Sequence, residues 1–109
     1  MNNYSPYIGD IRYRGRTYTF KFNITYSILQ GYRAYIEDAP SYKSRDQSLN
    51  ATHRLTDGNR YYICWNNRIN DLSAMKAVID LWAKATAMYI ADGGPSLDAH
   101  AARIRNAGA

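Results

Sequence analysis

The sequence predicts an α+β fold: an antiparallel sheet of four to five strands comes first, and helices follow. Three observations predict it. Residues 17–28 alternate polar and apolar without a break, from Thr17 and Tyr18 to Ser27 and Ile28, the period of a half-buried strand. An Asp57-Gly58 pair, a strong short hairpin signal, separates two further β-type runs. Residues 72–90 then carry apolar side chains at spacings of three and four, the pattern of a helix with a buried face.

Each element follows in order. Ile11 and Tyr13 alternate with Asp10, Arg12 and Arg14. Gly15 marks either a two-residue turn at Arg14-Gly15 or a three-residue loop; the two-residue turn sets Ile11 opposite Tyr18 and Arg12 opposite Thr17, so the apolar parity matches across the hairpin. The second strand is long enough that a bend or break is expected near Thr25. Leu29-Gln30-Gly31 reads as a turn. The third strand places Tyr32, Ala34 and Ile36 on one face and Arg33, Tyr35 and Glu37 on the other.

Residues 37–50 hold Pro40 and three serines and form the longest predicted loop. A second hairpin spans residues 52–65, with Tyr61, Ile63 and Trp65 on one face and Tyr62 and Cys64 on the other. Two rather apolar faces make its second strand central. Asn70 or Asp71 caps the long helix, and Gly93-Gly94-Pro95 ends it. Leu72, Met75, Ile79, Trp82, Thr86 and Tyr89 form its stripe. Ala74, Val78, Leu81, Ala85 and Met88 widen that stripe until little polar girth remains. Such a helix needs cover beyond the sheet, from the tail or from a second copy, so a homodimer through it is an expectation. Ser96 then caps a short helix with Leu97, Ala101 and Ile104 on one side, marginal unless docked. The organisation is one α+β domain over residues 1–94 and a helical tail over 95–109. The predicted core is Tyr18, Phe20, Phe22, Ile24, Ala34, Ile36, Ile63, Trp65, Met75, Val78, Ile79, Trp82 and Ile90.

The charge is uneven. Of 14 Lys+Arg and 9 Asp+Glu, ten cations and five anions lie in residues 1–69, together with ten of the 11 tyrosines. The whole +5 excess therefore belongs to the sheet region, a hint about partners rather than about fold. Cys64 is the single cysteine, which excludes an intramolecular disulfide. The N-terminal stretch has no apolar core of a signal peptide, and no apolar run is long enough to span a membrane. A cytoplasmic protein is expected, and the sequons at Asn23 and Asn50 read as chance matches.

Enzyme signatures are missing. The sequence has no nucleophile elbow, phosphate-binding loop, dinucleotide fingerprint, zinc-protease helix or C-x-x-C pair. Two histidines and one cysteine fall short of a metal ligand set, so no metal or cofactor is expected. His53, with Asp57 or Glu37 nearby, is the one candidate general base, and a histidine making a cross-strand contact is the plainer reading. Cys64 reads as a small buried hydrophobe.

A non-catalytic binding protein is the expected function. Its candidate surface combines the basic hairpin residues Arg12, Arg14, Arg16 and Lys21 with Arg33, Tyr35, Tyr42, Lys43, Arg45, Arg54 and Arg60. Tyr and Arg are residues of interface centres, which points to a protein or nucleoprotein partner. Basic residues interleaved with rings also suit direct nucleic-acid binding. Parity, however, sends Tyr18, Phe20 and Phe22 to the core and leaves a basic outer rib. By size and composition the chain is similar to phage- and plasmid-borne accessory proteins, anti-CRISPR inhibitors of host defence complexes among them. That analogy implies an inhibitor.

Overall fold

A computed structural model describes residues 2–3, 7–65 and 67–107. In chain order the elements are β1 (Asn2–Asn3), β2 (Tyr7–Tyr13), β3 (Arg16–Ser27), β4 (Gly31–Asp38), α1 (Leu49–Thr52), β5 (Arg54–Asp57), β6 (Arg60–Ile63), α2 (Leu72–Asp92) and α3 (Leu97–Ala107). The fold is α+β, as predicted. All strand pairs are antiparallel, and the order across the sheet is β1-β3-β4-β6-β5. β2 also pairs with β3, farther along the same border as β1. The sheet is therefore five strands wide, with one border shared by two segments.

The first hairpin has the expected register: Tyr13 faces Arg16, Arg12 faces Thr17 and Ile11 faces Tyr18. Arg14 (φ 50°) and Gly15 (φ 75°) both take positive φ, as a tight type I′ turn demands. The irregularity expected near Thr25 lies at Lys21/Phe22 instead, where the register with β4 shifts. In the second hairpin Asp57 is already a paired strand residue opposite Arg60. Gly58 (φ 62°) and Asn59 are the two central residues, so the turn sits one residue later than the Asp-Gly signal suggests.

Residues 48–53 also depart from expectation. Ser48 Oγ accepts from the Ala51 amide, one short helical turn forms, and His53 ends it in the left-handed conformation. Thr52, expected in a strand, is helical because this serine cap competes successfully for the local backbone.

α2 begins at the Asp71 cap, whose carboxylate accepts from the Ala74 amide, and ends at Gly93. Its Trp82 packs edge-on against Phe20 and Phe22, and the Trp82 indole N–H donates to Thr52 O at 3.1 Å. The inner face of the sheet and α2 thus close one core around Tyr18, Phe20, Phe22, Ile24, Ile63, Ile79 and Tyr89. Leu97 of α3 joins that core, with Ala101 and Ile104 packed on it. The tail beyond residue 94 docks, and it supplies cover for the apolar helix. Gly108 and Ala109 lie outside the described residues.

Two core expectations are corrected. Trp65 is 40% exposed, because β6 stops at Ile63 and strand parity no longer governs the chain beyond it. Ile36 is only half-buried at the core margin. Ile28, on the apolar parity of β3, is 83% exposed because the strand ends at Ser27. Among the described residues no helix is long and apolar enough to cross a membrane.

Candidate functional site

Strand register sorts the candidate residues onto two sides. Arg12, Lys21, Arg33, Tyr35 and Arg60 stand on the outer face, opposite the parity that meets α2. Over β4 and β6 they build an ordered second layer. The Arg33 guanidinium lies 3.9 Å from the Tyr62 ring centroid, and that of Arg60 lies 3.9 Å from the Tyr35 ring. Arg33 donates to the Tyr35 hydroxyl at 3.1 Å, and that hydroxyl donates to Asp57 at 2.7 Å. Arg60 pairs with Glu37 at 3.1 Å. Exposed ion pairs of this kind contribute little stability. Their effect is to hold two long cationic side chains flat on aromatic rings, each stacking worth about 0.5–2 kcal/mol.

This layer corrects two expectations. Tyr35 is only 2% exposed: it lies beneath the arginines and supports the surface without forming it. The face is also not a basic rib. Arg12, Lys21, Arg33 and Arg60 share it with Asp10, Glu37, Asp38 and Asp57, so its formal charge is zero and the chain's excess lies elsewhere.

The other six candidates sit off this face. Arg14 is held by Asp92 at 2.8 Å, which also accepts from the Tyr13 hydroxyl. The Tyr13 hydrogen bond, followed by the Arg14 guanidinium, keeps the Asp92 carboxyl below the usual aspartate range. Arg14 is thus a tether between the β2–β3 hairpin and the end of α2, while Arg16 beside it is exposed. Tyr42 is buried against Tyr89, and burial pushes its phenol above the ordinary value. Arg45 donates to the carbonyls of Ile90 and Ala91, at 3.2 and 3.1 Å. Arg54 lies over the Tyr61 ring at 4.2 Å and donates to Thr52 Oγ1 and Gln47 O. Lys43 is exposed with φ 57°. The predicted loop is therefore pinned to α2, with two of its candidates, Tyr42 and Arg45, serving the fold.

A cleft of about 190 Å³ opens on the helix side. It is lined by His53, Cys64, Trp65, Asn67 and Asp98 together with the apolar side chains of Val78, Leu81, Ala85, Leu97 and Ala101. His53 meets Asp98 of α3 at 2.7 Å from Nε2. Its side-chain partner is thus neither of the expected carboxylates, Asp57 or Glu37, while its carbonyl accepts from the Cys64 amide across the hairpin at 2.9 Å. Cys64 is half-buried at this cleft rather than sealed in the core. Among the described residues no group of three or more His, Cys, Asp or Glu is placed to hold a metal. Sequence reasoning missed Asp98 because 45 residues separate it from His53, and a tail helix gives no local sign of where it docks.

No family model matches the sequence, and no curated protein or solved structure is detectably similar to it.

Proposed function

We propose that this protein is a non-catalytic binding module that engages a protein or nucleoprotein partner through the outer face of β4, β6 and β5. The observation that carries this reading is the arginine–tyrosine layer itself. Arg33 and Arg60 are stacked, paired and held in place on a face that α2 does not cover. Arg and Tyr dominate binding energy at interface centres, and rigid placement lowers the entropy lost on association. Leu55 and Tyr62 on the same face add apolar area beside them. The balance of charge favours a protein surface over bare phosphate, which requires uncompensated cations.

The test is capture of a partner from cells of the native host on immobilised protein, with and without nuclease, host defence complexes being one class of bait. Arg60→Ala and Tyr62→Ala are expected to lose the partner by at least about tenfold while keeping the native circular dichroism spectrum. Capture should survive nuclease and depend weakly on salt. Equal capture by both variants would overturn the reading. So would tight binding to oligonucleotides that collapses between low and moderate salt, which assigns the protein to direct nucleic-acid binding.

A further inference from the structure

The sheet opens where β6 stops. β4 and β6 are paired at Ile36–Tyr61 and Tyr35–Tyr62, and β6 ends at Ile63. Farther along β4 the Tyr32 amide donates instead to the Ile69 carbonyl at 2.8 Å. A second pocket, of about 200 Å³, occupies this opening. We propose that it binds a small aromatic carboxylate, with the carboxylate held by Arg33 and Arg68 and the ring set against Trp65.

The anion follows from the charges. Among the described residues that line the pocket are these two arginines and no carboxylate. Arg33 uses Nη1 alone toward the Tyr35 hydroxyl, at 3.1 Å, and toward Asp57, at 3.6 Å. Among the described residues its Nε and Nη2 donors have no hydrogen-bond partner, although the side chain is only 18% exposed. Nε and Nη2 form one edge of the guanidinium, the fork that takes both oxygens of a carboxylate. Its stacking on Tyr62 at 3.9 Å fixes the plane of that fork. Arg68 has no ion pair among the described residues, and its one hydrogen bond runs from Nε to the neutral side chain of Asn70. Asp57 offsets the charge of Arg33, so one positive charge remains unmatched. That balance selects a monoanion over the dianion of a phosphate monoester.

The ring follows from the rest of the lining. Ala34, Ile63, Ile69 and Met75 are the buried members, whereas Gln30, Trp65, Asn67 and Arg68 are exposed. The pocket is thus apolar toward the core and polar toward solvent, which suits a ligand with one apolar end and one charged end. Trp65, 40% exposed, supplies an indole to stack on a flat group, and Met75 a thioether that packs well on one. A volume of about 200 Å³ falls below the roughly 300–1,000 Å³ of drug-sized sites, so a single ring is the match. Asn67 and Gln30 can hydrogen-bond a ring substituent or the second carboxylate lone pair.

The experiment titrates the isotope-labelled full chain with sodium benzoate and follows the indole N–H signals of Trp65 and Trp82 by NMR. Trp65 should shift saturably with a Kd of about 1 mM or below, as so small a ligand allows, while Trp82 in the core stays in place. Acetate, which lacks the ring, and benzyl alcohol, which lacks the charge, should each bind at least about tenfold more weakly. Arg68→Gln, at an exposed side chain, should weaken benzoate by a similar factor and keep the native spectrum elsewhere. No saturable shift of Trp65 would overturn the proposal, as would equal affinity for benzyl alcohol or an unchanged Kd in Arg68→Gln. Phenyl phosphate should bind no more tightly than benzoate; tighter binding by about tenfold would overturn the carboxylate assignment. Arg60→Ala should lose the partner and keep benzoate, and Arg68→Gln the reverse, so failure of this site and failure of the outer-face reading are told apart.

Discussion

Arg45 joins the loop over residues 37–50 to the end of α2. Its guanidinium satisfies the Ile90 and Ala91 carbonyls at the end of α2, groups that a helix C-terminus otherwise leaves open. Arg45→Ala is expected to lower stability by about 2–3 kcal/mol in urea denaturation, the value of charge-assisted hydrogen bonds lost together. Arg45→Lys should recover only part, since an ammonium lacks the fork that reaches two carbonyls. The glycines separate by what surrounds them. Gly15 has positive φ but open space, whereas a Cβ on Gly31 would lie 2.6 Å from the Ile69 carbonyl oxygen, which accepts from the Tyr32 amide. Gly15→Ala should cost about 1 kcal/mol. Gly31→Ala should cost at least twice that, as read from the same denaturation curves. Asp92 provides a pH dependence. Its folded-state pKa lies below the ordinary value near about 4, so its contribution is fully present above that value and is lost as pH falls through the lower one. Acidification should weaken the tether from the hairpin to α2. Amide exchange at Tyr13–Arg16 should rise on acidification less steeply in Asp92→Asn than in the wild type, once intrinsic rates are divided out.

Among the elements, α3 is the one whose stability comes from packing rather than from its own sequence. Leu97 and His100 are almost fully buried, and His100 Nε2 donates to the Gly93 carbonyl at 2.7 Å. Leu97→Ala should destabilise by about 2–5 kcal/mol. Exchange protection across Leu97–Ile104 should fall first, before that of the β3 amides. The strands and α2 were legible because period two and period 3.6 persist over many residues, and because Asp71 and Gly93 mark the helix ends. What stayed hidden depends on residues far apart in the chain. The Ser48 cap overrides strand propensity through a single hydroxyl. Trp65 leaves the sheet because β6 stops two residues earlier. At the candidate site, parity put Arg33 on the face of Tyr35 and Glu37, yet the stacking of Arg33 and Arg60 on Tyr62 and Tyr35 and their pairing with Asp57 and Glu37 arise only when three strands align.

At the scale of the molecule, one core serves the sheet, α2 and α3 together. A single unfolding transition is therefore expected. Circular dichroism and the fluorescence of Trp82 in the core and Trp65 at the cleft should coincide; a separate early transition in either probe would show that the tail or the cleft side folds on its own. The distribution of charge also matters at this scale. A net +5 with a formally neutral outer face puts the chain's excess positive charge away from that face.

The divided border of the sheet has a consequence for self-association. A long, straight, unpaired strand would invite copies of the chain to stack edge to edge into fibres. Here one margin is shared by β1 and β2, which pair with separate stretches of β3, and the other is β5, only four residues long and begun by Arg54. Among the described residues the longest unpaired edge is thus limited to the seven residues of β2, which restricts where a second copy of this tyrosine-rich sheet could add a strand.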